Sequence, residues 1–445
     1  MIDDLDLRAH GFDVYPADPS RFSPFPDGSR VLIWEDLERT REEIARVSRR
    51  DAERFPDWLA FWRRAASIIH PYYLGEPPTL DAIRAGLPGE DRSFFERLLT
   101  VSMGELLCEF FESEQMRGTY SQAQDVGDLD APGGAWCYAH IRTSALNRPE
   151  NVGLVHGGMG GITRAMAGSA RSRGATLKTG SEVDRILVAG GRARGVVLRD
   201  GSEYRSRVVL SNADPKRTFL GLVPEGGIDA AFLGRVRGLK TRAAYLKFHA
   251  ALSGLPDFSA HLGDGFDPRC LAEIKICPSM DYYRSSWNDA CLGQPSRSPV
   301  MEVQIPSVYD GTMAPPGHHV MSVWVSYAPV RLAEGTWDER RQEVGGQLID
   351  ALCQYIPNLR DILVDWSLFT PVDLERRVGL TDGNIRHLDI VPGQFFSERP
   401  LAGWADYRTP LPGLYLCGAG THPGGEVTGA PGHNAAAAVL RDLED

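Results

Sequence analysis

Positive charge is scarce: 48 Lys and Arg stand against 59 Asp and Glu, a formal charge of −11 over 445 residues. Nucleic acid is held by dense positive surface, and here the cations are scattered among more numerous acids, which argues against a nucleic-acid partner. No window approaches the ~18 consecutive apolar residues of a spanning helix, so no transmembrane segment is read, while a peripheral membrane contact stays open. The first residues, "MIDDLDLRAHGFDVYP", carry neither a basic region nor an apolar run. No secretory or transit signal is read there, and the expected location is the cytoplasm, or the mitochondrial matrix in a eukaryote. The seven cysteines are odd in number and form no C-x-x-C pair. That argues against a redox dithiol or a zinc site, and predicts mostly buried thiols in a reducing compartment, with no metal.

What is present is a chain long enough for two or three cores, with 42% hydrophobic residues and no low-complexity tract. Residues 35–70 show helical periodicity: Leu37, Ile44 and Val47 share one face, and after Ser48, read as an N-cap, Phe55, Leu59, Phe61, Trp62, Ala65 and Ile68 form a second stripe. A third helical stretch is expected over 91–112. Residues 1–150 thus read as a helix-rich substrate or cap region.

The pattern changes at Asn151. Segment 151–214 holds a glycine turn, a helix with Ile162, Ala165, Met166 and Ala170 at helical spacing, and a strand expected at 175–179. Hairpin turns follow at Gly190-Gly191 and Asp200-Gly201, and then "VVLSNA", an apolar run that fits a strand buried on both faces. Segment 215–393 mixes alternating strands such as "VMSVWVSYAP" with the amphipathic helix "WDERRQEVGGQLIDALCQYI", an α+β substrate domain. Segment 394–445 returns to a buried strand. The fold class is therefore α/β, with a discontinuous nucleotide-type domain interleaved with the α+β domain.

Neither glycine-rich loop completes the dinucleotide fingerprint, which needs a strand, G-x-G-x-x-G opening a helix, and an acid about 20 residues later. Gly157-Gly158-Met159-Gly160-Gly161 follows no convincing strand. Gly418-Ala419-Gly420 follows one, but Pro423-Gly424-Gly425 interrupts the path. A helix starting near 429–434 would instead offer free N–H groups and its positive dipole end to an electron-rich group. A ligand-free β-α turn fits the same spacing.

The block "LYLCGAGTHPGGEVTGAPGHNAAAAVLRDL", preceded by "PLAGWADYRTP", resembles the C-terminal signature of phytoene-desaturase-like flavin oxidoreductases. Weaker segments in family order, among them "HGGMGGITRAM", "VVLSNADPKRTFLGLVPE" and "LFTPVDLERRVGLTDGNI", extend the resemblance over essentially the whole chain. It implies an FAD-dependent oxidoreductase with a glutathione-reductase-like FAD/NAD(P)-binding domain, N-terminally incomplete here, and a hydrophobic small-molecule substrate. By position, Val183 would meet adenine, Gly418 and Ala419 the ribityl and pyrophosphate, and Val427, Thr428 and Gly429 the flavin pyrimidine. Glu426 stands where the family usually has glycine, and would weaken binding or face the substrate. Phe395, Phe396, Trp404 and Tyr407 are candidate substrate walls; as aromatics they read equally as core. No catalytic acid or base is assigned. The family's first βαβ unit, with its G-x-G-x-x-G, is not found in these residues. Three readings follow: a fragment or misassigned start of an FAD oxidoreductase, a split enzyme or homo-oligomer in which a partner chain supplies that unit, or a flavin-free binding or scaffold protein.

Overall fold

The computed structural model describes residues 1–147 and 153–444. The domain boundary expected at 150/151 lies outside the described residues. The strands, in chain order, are β1 (Val14–Tyr15), β2 (Arg21–Pro24), β3 (Arg30–Ile33), β4 (Leu154–Val155), β5 (Val183–Ala189), β6 (Arg192–Leu198), β7 (Glu203–Arg205), β8 (Val209–Ser211), β9 (Ala244–Leu252), β10 (Ile274–Ile276), β11 (Val300–Gln304), β12 (His319–Ala328), β13 (Leu363–Phe369) and β14 (Leu414–Leu416).

A seven-stranded sheet in the order β13-β9-β12-β11-β10-β2-β3 dominates the architecture. All its pairings are antiparallel except β10 with β2. Alternation along β9 sends Leu246, Phe248, Ala250 and Leu252 to one face, where Val344, Leu348, Ile349 and Leu352 of the helix Trp337–Cys353 cover them. Thr336 and Glu339 close a capping box at that helix's start. The opposite face carries Tyr245, Lys247 and His249 and fronts a cavity. The hairpin β2–β3 belongs to residues otherwise rich in helix, and lengthens the sheet from the other end of the chain.

The helices Leu37–Ala45 and Arg49–Ile69 form as expected, and the Ser48 side chain accepts the Asp51 N–H at the second N-terminus. Phe55, Trp58, Phe61 and Trp62 bury their rings in a helical core. The stretch 91–112 is two helices rather than one, Gly89–Thr100 and Met103–Phe110. Ser102 and Glu105 make a capping box that restarts the chain, a local signal stronger than the continuous apolar periodicity.

The meander β5-β6-β7 matches its turn chemistry, with Gly190 and Gly191 at φ 59° and 67° as a tight hairpin requires. Two other expectations fail. Residues 175–179 are not a strand but exposed coil. β8 is not buried on both faces, since Leu210 is 42% exposed. Both have one cause: β8 pairs only with β14, parallel, in a two-stranded sheet, and 175–179 has no neighbour to pair with. The thiols also differ from expectation. All seven cysteines are free, and Cys137, Cys270 and Cys277 alone are buried. Among the described residues no helix is long and apolar enough to cross a membrane.

Candidate functional site

Strand β14 delivers the chain into the glycine-rich loop and then the helix Ala430–Glu444. The loop's first half is fixed by packing. A Cβ on Gly418 would lie 2.7 Å from Asn212 Oδ1 at the end of β8, so only glycine permits that approach. Arg399 is fully buried, and its Nε and Nη2 donate to Ala419 O at 3.1 and 2.7 Å. The same guanidinium donates to the carbonyls of Asp389, Gln394, Arg386 and Leu388. His422 Nε2 donates to Tyr72 O at 2.7 Å, and His140 Nε2 to Pro423 O at 2.6 Å. Burial pushes these imidazoles down to about 4 and about 3, so both are neutral clips rather than acids. His433 Nδ1 lies 3.2 Å from Asn434 Oδ1. Among the described residues no three His, Cys, Asp or Glu are grouped to hold a metal.

The loop's second half is strained. Glu426 and Val427 adopt left-handed backbone, φ 66° and 58°, which is an outlier for a β-branched valine. Thr428 Oγ1 accepts the Ala430 N–H at 3.1 Å and caps the following helix. The Glu426 carboxylate is met by Arg386 at 2.9 Å, and Arg386 reaches the buried Asp125 at 2.7 Å. The acid that stood out in the sequence is therefore neutralised within the protein. Asp125 also accepts from Tyr245 OH and the Ile390 N–H, at 3.1 and 2.7 Å.

Between this loop and the open face of the large sheet lies a cavity of about 1070 Å³. Strand register sets its floor. Lys247, Trp324, Glu302 and Lys275 stand abreast on β9, β12, β11 and β10, and His249, Ser322 and Gln304 form the next row. Lys275 Nζ pairs with Glu302 at 3.1 Å, and Lys247 Nζ sits 4.1 Å above the Trp324 ring. Burial pushes the Lys247 ammonium down to about 8. Burial works against the Glu302 carboxylate too, but Lys275 and Arg21 outweigh it and hold it at about 2. Glu273, half-buried and accepting from Gln304 at 2.6 Å, is pushed up to about 7 by its desolvation.

Of the residues singled out in the sequence, Glu426 and Val427 line this cavity. Gly418 and Ala419 lie beneath Arg399, Thr428 and Gly429 at the helix start, and Val183 opposite Leu198 at the start of β5. The four aromatics lie off its wall. Phe395 and Phe396 pack on Trp136 and His140 in the helical core, Trp404 sits edge-on to Phe232, and Tyr407 OH donates to His422 O at 3.1 Å. Sequence reasoning missed Arg386, Asp125, Arg399 and Lys247. For Lys247 a signal existed, since "YLKFHA" places Lys247 and His249 at alternate positions of an otherwise apolar strand.

A strained glycine-rich loop thus faces a sheet-floored cavity in a mixed α/β chain, and comparison with known proteins shows what this arrangement is similar to. A putrescine oxidase variant redesigned in its cofactor binding superposes with a TM-score of 0.59 at 14% identity, covering 100% of this chain and 85% of that one. Cyclohexylamine oxidase from Brevibacterium oxydans gives 0.53 at 14% identity, with the same coverages. These likenesses establish the fold. No protein-family model matches the chain. Pyridine nucleotide-disulfide oxidoreductase domain-containing protein 2 of Rattus norvegicus is 33% identical across 99% of this chain and 83% of its own length. A lycopene-forming phytoene desaturase of Pseudescherichia vulneris is 27% identical across 97% of this chain and 84% of its own. The chain belongs to the family of pyridine nucleotide-disulfide oxidoreductase domain-containing protein 2.

Proposed function

We propose that the chain is an FAD-dependent oxidoreductase of the desaturase or dehydrogenase type. The carrying observation is that Glu426 and Val427, strained and at the head of a capped helix, roof a cavity large enough for a flavin edge and a small-molecule substrate. The residues fit the isoalloxazine end of FAD. The left-handed backbone of 426–427 turns the chain tightly in front of the helix, and Gly432 leaves open space at the first helical turn. The Ala430–Glu444 helix starts beside Gly429, where the Met1 side chain packs, and its positive end suits negative charge. FAD, when bound, supplies a hydride acceptor for a substrate C–H bond.

The chain's own residues do the rest. Val427, Thr428 and Gly429 hold the pyrimidine edge, Gly418 and Ala419 the ribityl and pyrophosphate, and Val183 the adenine. Arg386 cancels the Glu426 charge, so that no bare carboxylate opposes a reduced, electron-rich ring. The cavity walls exclude water and orient the reacting carbon. The division into an FAD-binding unit, built from 151–214 and 394–445, and a substrate unit on the large sheet belongs to this reading. A βαβ unit with G-x-G-x-x-G supplied by a partner chain would add beside β8 and β14.

A flavin-free binding protein is the second reading, favoured by the exposed Leu210 on a two-stranded sheet. Gel filtration of the purified chain after incubation with FAD separates the two. Yellow, flavin-absorbing protein is the expected result; folded, colourless protein at saturating FAD would support the second reading.

A further inference from the structure

The floor of the cavity does not suit a hydrocarbon. Lys247 and Arg142 both line it, and among the described residues neither cation forms an ion pair or a hydrogen bond. The other charges there are accounted for. Lys275 pairs with Glu302, Arg386 with Glu426 and Asp125, Glu273 is held by Gln304, and Asp365 is exposed at the rim. Lys247 is fixed above Trp324 on β9, one strand in from the sheet's edge, with three strand spacings, roughly 14 Å, between it and Lys275. Glu273 and Glu302 act on the half-buried Lys247 ammonium only at a distance, with no carboxylate in contact, and an anion arriving beside it would offset part of its burial cost. The same cavity presents an apolar wall at Ile141, Ile385 and Val427.

Building on the substrate-site reading above, we propose that the cavity takes an organic acid. Lys247 receives its carboxylate, and its apolar remainder lies against Ile141, Ile385 and Val427 beneath the loop. The reacting C–H bond then belongs to an amphipathic acid rather than a neutral hydrocarbon, and the charged end sets which carbon lies under the roof.

Titration calorimetry of the full chain with sodium octanoate and, separately, 1-octanol tests this without any turnover. Octanoate is expected to bind at least about tenfold more tightly than the alcohol. Lys247→Met should weaken octanoate by about tenfold and leave 1-octanol within about twofold, whereas Lys247→Arg should retain octanoate binding. Equal affinity for acid and alcohol, octanoate binding unaffected by Lys247→Met, or no octanoate binding at all would overturn the proposal. Flavin retention on the same samples reports separately: acid binding by a colourless protein would leave the ligand assignment standing and remove the flavoenzyme reading.

Discussion

The two parallel strands β8 and β14 and the seven strands of the large sheet are built from similar sequence, short β-branched and leucine-rich runs, yet only the large sheet is finished. There, β9 has a partner on each side, and the helix Trp337–Cys353 covers Phe248 and its neighbours. Around β8 and β14, Leu210 is exposed, residues 175–179 remain coil, and Leu440 on the following helix is 61% exposed. Strand formation and burial are therefore set by what lies alongside rather than by propensity. The candidate site spans both regions, with its floor on the finished sheet and its roof on the open one.

The contrast breaks most visibly by truncation. Phe248→Ala should cost about 4 kcal/mol in urea denaturation, and Leu210→Ala below about 1 kcal/mol; comparable losses would mean that β8 is as well packed as β9. Next comes the joint between the regions. Arg399→Met leaves the carbonyls of Arg386, Leu388, Gln394 and Ala419 short of a donor, should cost about 3 kcal/mol in the same assay, and should abolish FAD retention.

Lys247→Met probes the floor. The ammonium is lowered from 10.5 to about 8, so between those pH values the unfolded chain binds the proton and the native one does not. Wild-type stability should therefore rise with pH across that window relative to the variant. At neutral pH the variant should be the more stable by about 2 kcal/mol, an advantage lost above the upper value. Parallel denaturation series across that range check this. The smallest effect is at the roof, where Val427→Gly relieves the left-handed strain and should stabilise by about 1 kcal/mol, while amide exchange in the loop quickens.

These same differences explain what the sequence made legible. Local chemistry read correctly: the Gly190-Gly191 turn, the Ser48 cap, and the helix after the final glycine loop each declare themselves within a few residues. The capping box at Ser102 and Glu105 is equally local and prevails in the fold, but the continuous apolar periodicity around it masks it in the sequence. Long-range pairings left no such trace. Arg386 and Asp125 are 261 residues apart, and nothing near Arg399 marks it as fully buried, since arginine is normally exposed. The aromatics at 395, 396, 404 and 407 stood close in sequence to the loop, and proximity along the chain did not become proximity to the cavity.

Hydrogen exchange of the full chain with and without FAD tests the central claim most directly. Slowed exchange confined to amides 418–429 and the first turn of the following helix, with β9 and β12 unchanged, is the predicted result. Retained flavin with no protection in 418–429 would place the cofactor elsewhere and contradict the account.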